Sequence, residues 1–149
     1  MSLKWTTHSW NDLTKEQLYQ ILALRAEVFV VEQECAYLDP DDKDQEAQHL
    51  LMYNKSILVG YARIFLNLST CVIGRVVIKE SFRGKNLGRL LMEASINQVP
   101  VGKTIFISAQ ERLKAFYESL GFKQSKKGYL EDGIPHIPMT FCRNHATDQ

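Results

Sequence analysis

Residues able to do chemistry gather in one short basic stretch, Arg83-Gly84-Lys85-Asn86-Leu87-Gly88-Arg89. It follows a β-branched run, Val72-Ile73-Gly74-Arg75-Val76-Val77-Ile78. It opens a segment with Leu87, Leu90, Leu91 and Ala94 at i, i+3, i+4 and i+7. The first run reads as a buried strand and the second as an amphipathic helix. A strand that turns into a helix leaves unpaired N–H groups and the positive end of the macrodipole at the turn. Gly84 and Gly88 let backbone approach a ligand closely, and Arg83, Lys85 and Arg89 add cations. Such a turn suits a phosphate or pyrophosphate. A plain βα turn with solvated charges is the competing reading of the loop by itself.

Spacing narrows the choice. Gly84 and Gly88 stand one residue too close for a P-loop, and Arg89-Leu90 follows where Lys-Ser/Thr is required. The G-x-G-x-x-G of dinucleotide-binding folds is missing from this loop. Elsewhere, Tyr117 lies on a stripe with Leu113, Phe116 and Leu120, directly before Gly121-Phe122; it is either a core aromatic or a phenol placed for proton transfer. Glu32, His49, Glu80 and His136 are the candidate bases, the histidines because imidazole titrates in the useful range. Arg25 falls on the apolar face of the first helix, either snorkelling from its flank or pointing inward to a carboxylate. The run Leu38-Asp39-Pro40-Asp41-Asp42-Lys43-Asp44 is an acidic loop. Calcium fails there, because Lys43 and Asp44 occupy the fifth and sixth positions of the required pattern. A solvated loop is the default, and attraction of a cationic amine the sharper alternative.

The elements that position these residues follow in chain order. Leu3–Trp10 reads as a strand. Thr14 and Gln17 form a possible capping box for a helix carrying Leu18, Ile21, Leu22, Val28 and Phe29 on one face. His49–Tyr53 and Ile57–Leu66 are strands around the turn Asn54-Lys55-Ser56 and lead into the Val72–Ile78 strand as a meander. Thr104–Ala109 is a strand expected parallel to Val72–Ile78, because a helix connects the two. Gln110–Leu120 is the last helix, stopped by Gly121. A final pair of strands turns at Glu131-Asp132-Gly133, and residues 144–149 read as a frayed tail. At 149 residues the chain reads as one domain, 1–149, with its core at about 3–143. A net charge of +1 gives no field for nucleic acid or a membrane surface, and no apolar run is long enough to span a bilayer. Three scattered cysteines and no secretory leader point to reduced thiols in the cytoplasm, with no metal.

The loop Arg83-Gly84-Lys85-Asn86-Leu87-Gly88 resembles motif A of the GNAT N-acetyltransferase superfamily, [RQ]-x-x-G-x-[GA], except that Asn86 stands where the pattern has Gly. Asn is the non-glycine residue most at ease at positive φ. Phe116-Tyr117-Glu118-Ser119-Leu120-Gly121-Phe122 is similar to the superfamily's F-Y-x-x-x-G-F signature. Leu24-Arg25-x-x-Val28-Phe29-Val30-Val31-Glu32-Gln33, Gly60-Tyr61-Ala62-Arg63, Gly74-Arg75-Val76-Val77-Ile78 and Glu131-Asp132-Gly133-Ile134-Pro135-His136-Ile137-Pro138-Met139 resemble the ElaA-like group, so the likeness covers nearly the whole chain.

The resemblance implies an α/β (α+β) GNAT fold: a mixed, mostly antiparallel sheet of six to seven strands flanked by helices, in the order β-α-β-β-β-α-β-α-β-β. It also implies transfer of an acetyl group from acetyl-CoA, as cosubstrate, to a primary amine by direct attack. Val76, Val77, Ile78, Arg83, Gly84, Lys85, Asn86, Leu87, Gly88, Arg89, Gln110 and Phe116 would bind acetyl-CoA, with the Val77 N–H polarising the thioester. Tyr117 would protonate the thiolate. His136 or Glu32 would serve the amine, with Arg25 and His49 binding substrate. The expected partners are acetyl-CoA and an amine, without nucleic acid or membrane, in a monomer or homodimer. The Arg-x-x-Val-Phe run also resembles acyl-homoserine-lactone synthases, which leaves another acyl donor open, and a non-catalytic CoA-binding module is the third reading.

Overall fold

The computed structural model describes residues 1–67 and 69–143, so the expected tail at 144–149 lies outside the described residues. Its frame is a mixed sheet of eight strands: β1 (Leu3–Ser9), β2 (Gln48–Asn54), β3 (Ile57–Phe65), β4 (Thr70–Ile78), β5 (Thr104–Gln110), β6 (Lys123–Gln124), β7 (Tyr129–Glu131) and β8 (Ile134–Cys142). The spatial order is β1-β2-β3-β4-β5-β8-β6, with β7 paired to β8. Only β4 and β5 run parallel, across helix α2 (Leu87–Gln98). This is the expected mixed, mostly antiparallel sheet flanked by helices, with one strand beyond the six to seven expected. Lys123–Gln124 adds a short edge strand, and β7 and β8 form their own hairpin. Asp132 and Gly133, at φ 51° and 77°, make the turn that suits the twist of such a hairpin.

β2 and β3 are buried on both faces, which divides the core in two. Leu50, Met52, Ala62, Ile64 and Ile73 pack against Leu87, Leu91 and Met92 of α2. Leu51, Tyr61 and Val77 face the other way, onto Ile21, Leu24 and Val28. Helix α1 (Lys15–Arg25) starts with the expected capping box: Gln17 N–H donates to Thr14 Oγ1 at 3.1 Å and Thr14 N–H to Gln17 Oε1 at 2.9 Å. It does not run on as one α-helix. Ala26–Glu32 widens into a π-helical turn whose exit shows in the bonds Gln33 N–H to Val28 O and Cys35 N–H to Val30 O. The last helix is also shorter than expected. β5 pairs with β8 as far as Gln110 opposite His136, so the ladder claims Gln110. A 3₁₀ turn, Glu111–Leu113, then precedes α3 (Lys114–Ser119). Gly121, at φ 106°, closes α3; a Cβ there would meet Phe141 Cε2 at 2.5 Å.

In the acidic loop, Asp39, Asp41 and Asp44 turn inward onto arginines, while Asp42 is exposed. Arg25 is fully buried, with Nε on Asp39 Oδ2 and Nη1 on Asp44 Oδ1, each at 2.7 Å. Arg63 takes Asp41 at 2.8 Å and Asp44 at 3.0 Å, and Arg75 Nε takes Asp39 Oδ1 at 2.8 Å. Three guanidiniums and three carboxylates neutralise one another beneath the sheet, which overturns the expectation that this loop attracts a cationic substrate. Removing the fully buried Arg25 would take a guanidinium from both Asp39 and Asp44, at a cost of about 3–5 kcal/mol. Burial opposes the ionisation of Asp41 and Asp44, but the hydrogen bonds from Arg63 and Arg25 prevail. Both carboxyls titrate below their ordinary range, Asp41 at about 2. A carboxyl depressed in the folded state contributes stability above its unfolded pKa, here about 4, and that stability is lost as pH falls to the folded value. Melting temperature should therefore drop between about pH 4 and pH 2. Asp41→Asn should flatten part of that drop in a Tm–pH series.

Candidate active site

β4 and β5 pair only at Thr70–Thr104, Cys71–Ile105 and Val72–Phe106. Beyond that they part, and a cavity of about 450 Å³ opens between them. The cause lies on both sides. β5 is held to β8 along its whole length, while β4 is held to β3 through a bulge. Tyr61 faces Val77 and Arg63 faces Gly74, so β4 fits one more residue into that interval than β3. Arg75 takes the left-handed conformation at the bulge, φ 50°, which costs a non-glycine residue about 1–2 kcal/mol.

The bulge sets which backbone groups face the cavity. Ile78 O accepts from Arg83 Nε at 3.1 Å, whereas Lys79 N–H donates to Val59 O across β3 at 2.8 Å. Along a strand, successive residues direct their N–H and C=O to opposite sides. Val76 and Ile78 therefore point into the gap and Val77 points to Tyr61 on β3. The expectation that Val77 N–H polarises a carbonyl in the cavity is corrected: the N–H available there is that of Val76.

At one end of the cavity the basic turn takes the expected form. Gly84 and Asn86 have φ of 78° and 65°, so Asn86 holds the left-handed position in place of glycine and caps α2. The N–H groups of Leu87, Gly88 and Arg89 begin the helix and lie at the cavity wall. Arg89 lines the cavity with Nη2 on Ser119 Oγ at 2.6 Å and its guanidinium 6.0 Å from the Phe116 ring. Lys85 is exposed and outside the lining. Arg83 is turned away from the turn: its fork grips Glu32 (Nη2 to Oε1 3.0 Å) and its Nε covers Ile78 O. Both Glu32 oxygens are thus engaged, and the carboxylate anchors Arg83 to the π-helical turn rather than standing free as a base.

Tyr117 is buried in the wall, edge-on to Phe116 at 5.1 Å and Phe122 at 5.9 Å. Burial pushes its phenol up to about 12, against a smaller pull down from Arg112. At the far end, Gln110 Nε2 bonds Gln33 Oε1 across the cavity at 3.3 Å, and His136 lies opposite Gln110 in the ladder. His136 is largely buried. Its Nδ1 donates to Ile134 O at 2.7 Å, and its Nε2 lies 3.5 Å from Glu131 Oε2. The remaining expected residues are elsewhere. Arg25 is locked to Asp39 and Asp44. His49, fully buried, lies between Tyr61 Oη (2.6 Å) and Asp44 O (2.9 Å), and burial pulls its pKa down. Neither can touch a substrate. Glu80 is exposed outside the cavity. Sequence reasoning missed Tyr37, Arg75, Ser108, Arg112 and Glu131 in the lining, of which Arg75 and Glu131 stood inside segments already singled out.

Replacing Asn86 tests the turn. Asn86→Gly removes the left-handed strain and should hold stability within about 1 kcal/mol in chemical denaturation, whereas Asn86→Val should lose more than that.

Comparison with known proteins shows the family and the fold. An Acetyltransferase (GNAT) domain model matches residues 10–142. Protein ElaA of Escherichia coli strain K12 is 39% identical over 145 residues, 92% of this chain and 95% of ElaA. The crystal structure of Escherichia coli ElaA has a TM-score of 0.86, covering 94% of this chain and 99% of that one. An acyl-CoA N-acyltransferase from Pseudomonas aeruginosa, 39% identical, reaches 0.90 over 95% of this chain and 100% of that one. A GNAT family acetyltransferase from Elizabethkingia anophelis with acetyl-CoA bound, 13% identical, shares the fold at 0.63 over 93% and 97% of the two chains.

Proposed function

Because this chain belongs to the GNAT acetyltransferase family, we propose that it moves an acetyl group from acetyl-CoA to a primary amine by direct attack in a ternary complex. The observation that carries the proposal is the gap between β4 and β5, which has free backbone on one wall and a cationic helix N-terminus at one end. The pyrophosphate sits on the N–H groups of Leu87, Gly88 and Arg89, with charge from Arg89 and the helix dipole. The pantetheine amides pair with Val76 and Ile78 as an added strand. Arg83 leaves the Ile78 carbonyl as that pairing forms.

The chemistry needs four things. The two reactants are held together, which replaces a bimolecular step with one inside the complex. The Val76 N–H stabilises the oxyanion as the amine adds to the thioester carbonyl. His136 Nε2 takes the proton the amine gives up; Nδ1 is committed to Ile134 O, so the tautomer is already set. The thiolate leaves and Tyr117 protonates it, a donor kept in its phenol form by burial. The three free thiols fit a reducing, cytoplasmic compartment.

A panel of primary amines with acetyl-CoA, read by thiol release, tests the reaction class; longer acyl-CoA donors in parallel test the donor. Saturating acetyl-CoA should raise the melting temperature by mass action, and no shift together with no calorimetric heat would remove the binding site. Tyr117→Phe should leave acetyl-CoA affinity nearly intact and lower kcat by roughly 10²–10⁴-fold. Turnover at the wild-type rate, with chemistry limiting, would return Tyr117 to the core and leave water as the proton donor.

A further inference from the structure

Arg75 is a strained residue on the wall of the cavity. It sits at φ 50° on the strand that faces the cavity, where glycine would fit without cost. Its side chain is held on several sides. Nε meets Asp39 Oδ1 at 2.8 Å, and Nη2 donates to Asp39 O at 2.9 Å and lies 3.4 Å from Asp41 Oδ2. The guanidinium lies 5.8 Å from the Tyr37 ring centre, and Tyr37 Oη donates to Asp39 Oδ1 at 3.0 Å. Asp39 is itself buried and fixed by Arg25. The chain of contacts runs from a helix of the core, through the acidic loop, to one residue of the bulge.

The peptide bond after Arg75 carries the Val76 N–H. The backbone torsions of Arg75 therefore set where that N–H points. We propose that Arg75 is a positioning residue, whose ion pair with Asp39 holds the bulge so that the Val76 N–H is aimed at the acyl carbonyl in the gap. The inference rests on the transferase reading and gives the Arg25–Asp39–Arg75 contacts a part in it. Strain persists at sites where surrounding structure over-determines the conformation and function uses it; here the over-determining contacts are visible.

Arg75→Gly is the discriminating variant. Glycine adopts the bulge conformation without strain, so the fold is kept while the tether is lost. The carbonyl of acetyl-CoA labelled with carbon-13 at the acyl position reports the N–H contact through its infrared stretch in the bound state. Arg75→Gly should raise that frequency relative to the wild-type complex. With the fastest amine of the panel, kcat should fall about 10- to 100-fold, with the KM for acetyl-CoA within about threefold. Arg75→Lys, which keeps a charge for Asp39 without the fork, should recover part of both. Unchanged frequency and kcat in Arg75→Gly would overturn the proposal. So would a defect confined to the amine KM, which means direct substrate contact, or a loss that Arg75→Lys does not recover at all. If wild-type protein fails to bind acetyl-CoA, the transferase reading itself falls; if it binds and only the Arg75 effects are missing, the positioning role alone falls.

Discussion

The parting of β4 and β5 is the constraint on which the site depends. Two parallel strands joined by a helix ordinarily pair along their length, and these stop after three residue pairs. Each is claimed by its other neighbour: β5 by β8 as far as Gln110, and β4 by β3 across the bulge at Arg75. The backbone left over is the useful product. Val76 and Ile78, half-buried on the cavity wall, offer backbone for pairing with a guest that brings amides of its own. The internal contact from Arg83 to the Ile78 carbonyl covers one of these groups. The same parting brings together groups from distant parts of the chain, with the α2 N-terminus at one end, Tyr117 on the wall and His136 at the other end.

Beneath the sheet, the arginine–aspartate lattice gives this opening a fixed edge. Charges so deeply placed are rarely the cheapest way to stabilise a core, since apolar residues of like volume often do as well. What they supply is geometry. Arg25 on α1, Asp39, Asp41 and Asp44 in one loop, Arg63 on β3 and Arg75 on β4 tie one another together through ion pairs of 2.7 to 2.8 Å. His49 joins it as a neutral ring between Tyr61 and the Asp44 carbonyl. A helix, a loop and two strands are thereby held in register next to a cavity that their own packing would leave free to shift.

The parts of this legible in the sequence were those with local signals. The 3.6 period and the glycines located α2 and the anion turn, Thr14 and Gln17 announced the start of α1, and the stripe before Gly121 marked Tyr117. The GNAT resemblance carried the strand order. What failed depended on contacts far apart in the chain or on a shift of a single residue. The sequence leaves Arg25 either snorkelling or pointing inward to a carboxylate, and the inward alternative is the one found, but nothing near Arg25 names Asp39 and Asp44 as its partners. The bulge is hidden because Arg75, and not the adjacent Gly74, holds the left-handed position. One unseen residue inverts the parity of the strand, and Val77 was chosen where Val76 faces the gap. Glu32 stood in the right place, but its partner Arg83 lies 51 positions away.

Acetyl-CoA is proposed to lie as an added strand between β4 and β5. Backbone amide resonances recorded during titration with acetyl-CoA test it most directly. The account predicts the largest shifts at Val76, Ile78 and Leu87 to Arg89, with Val77 moving less than either neighbour because its N–H is bonded to β3. Shifts that spare β4 and the start of α2, or that are largest at Val77, would contradict it.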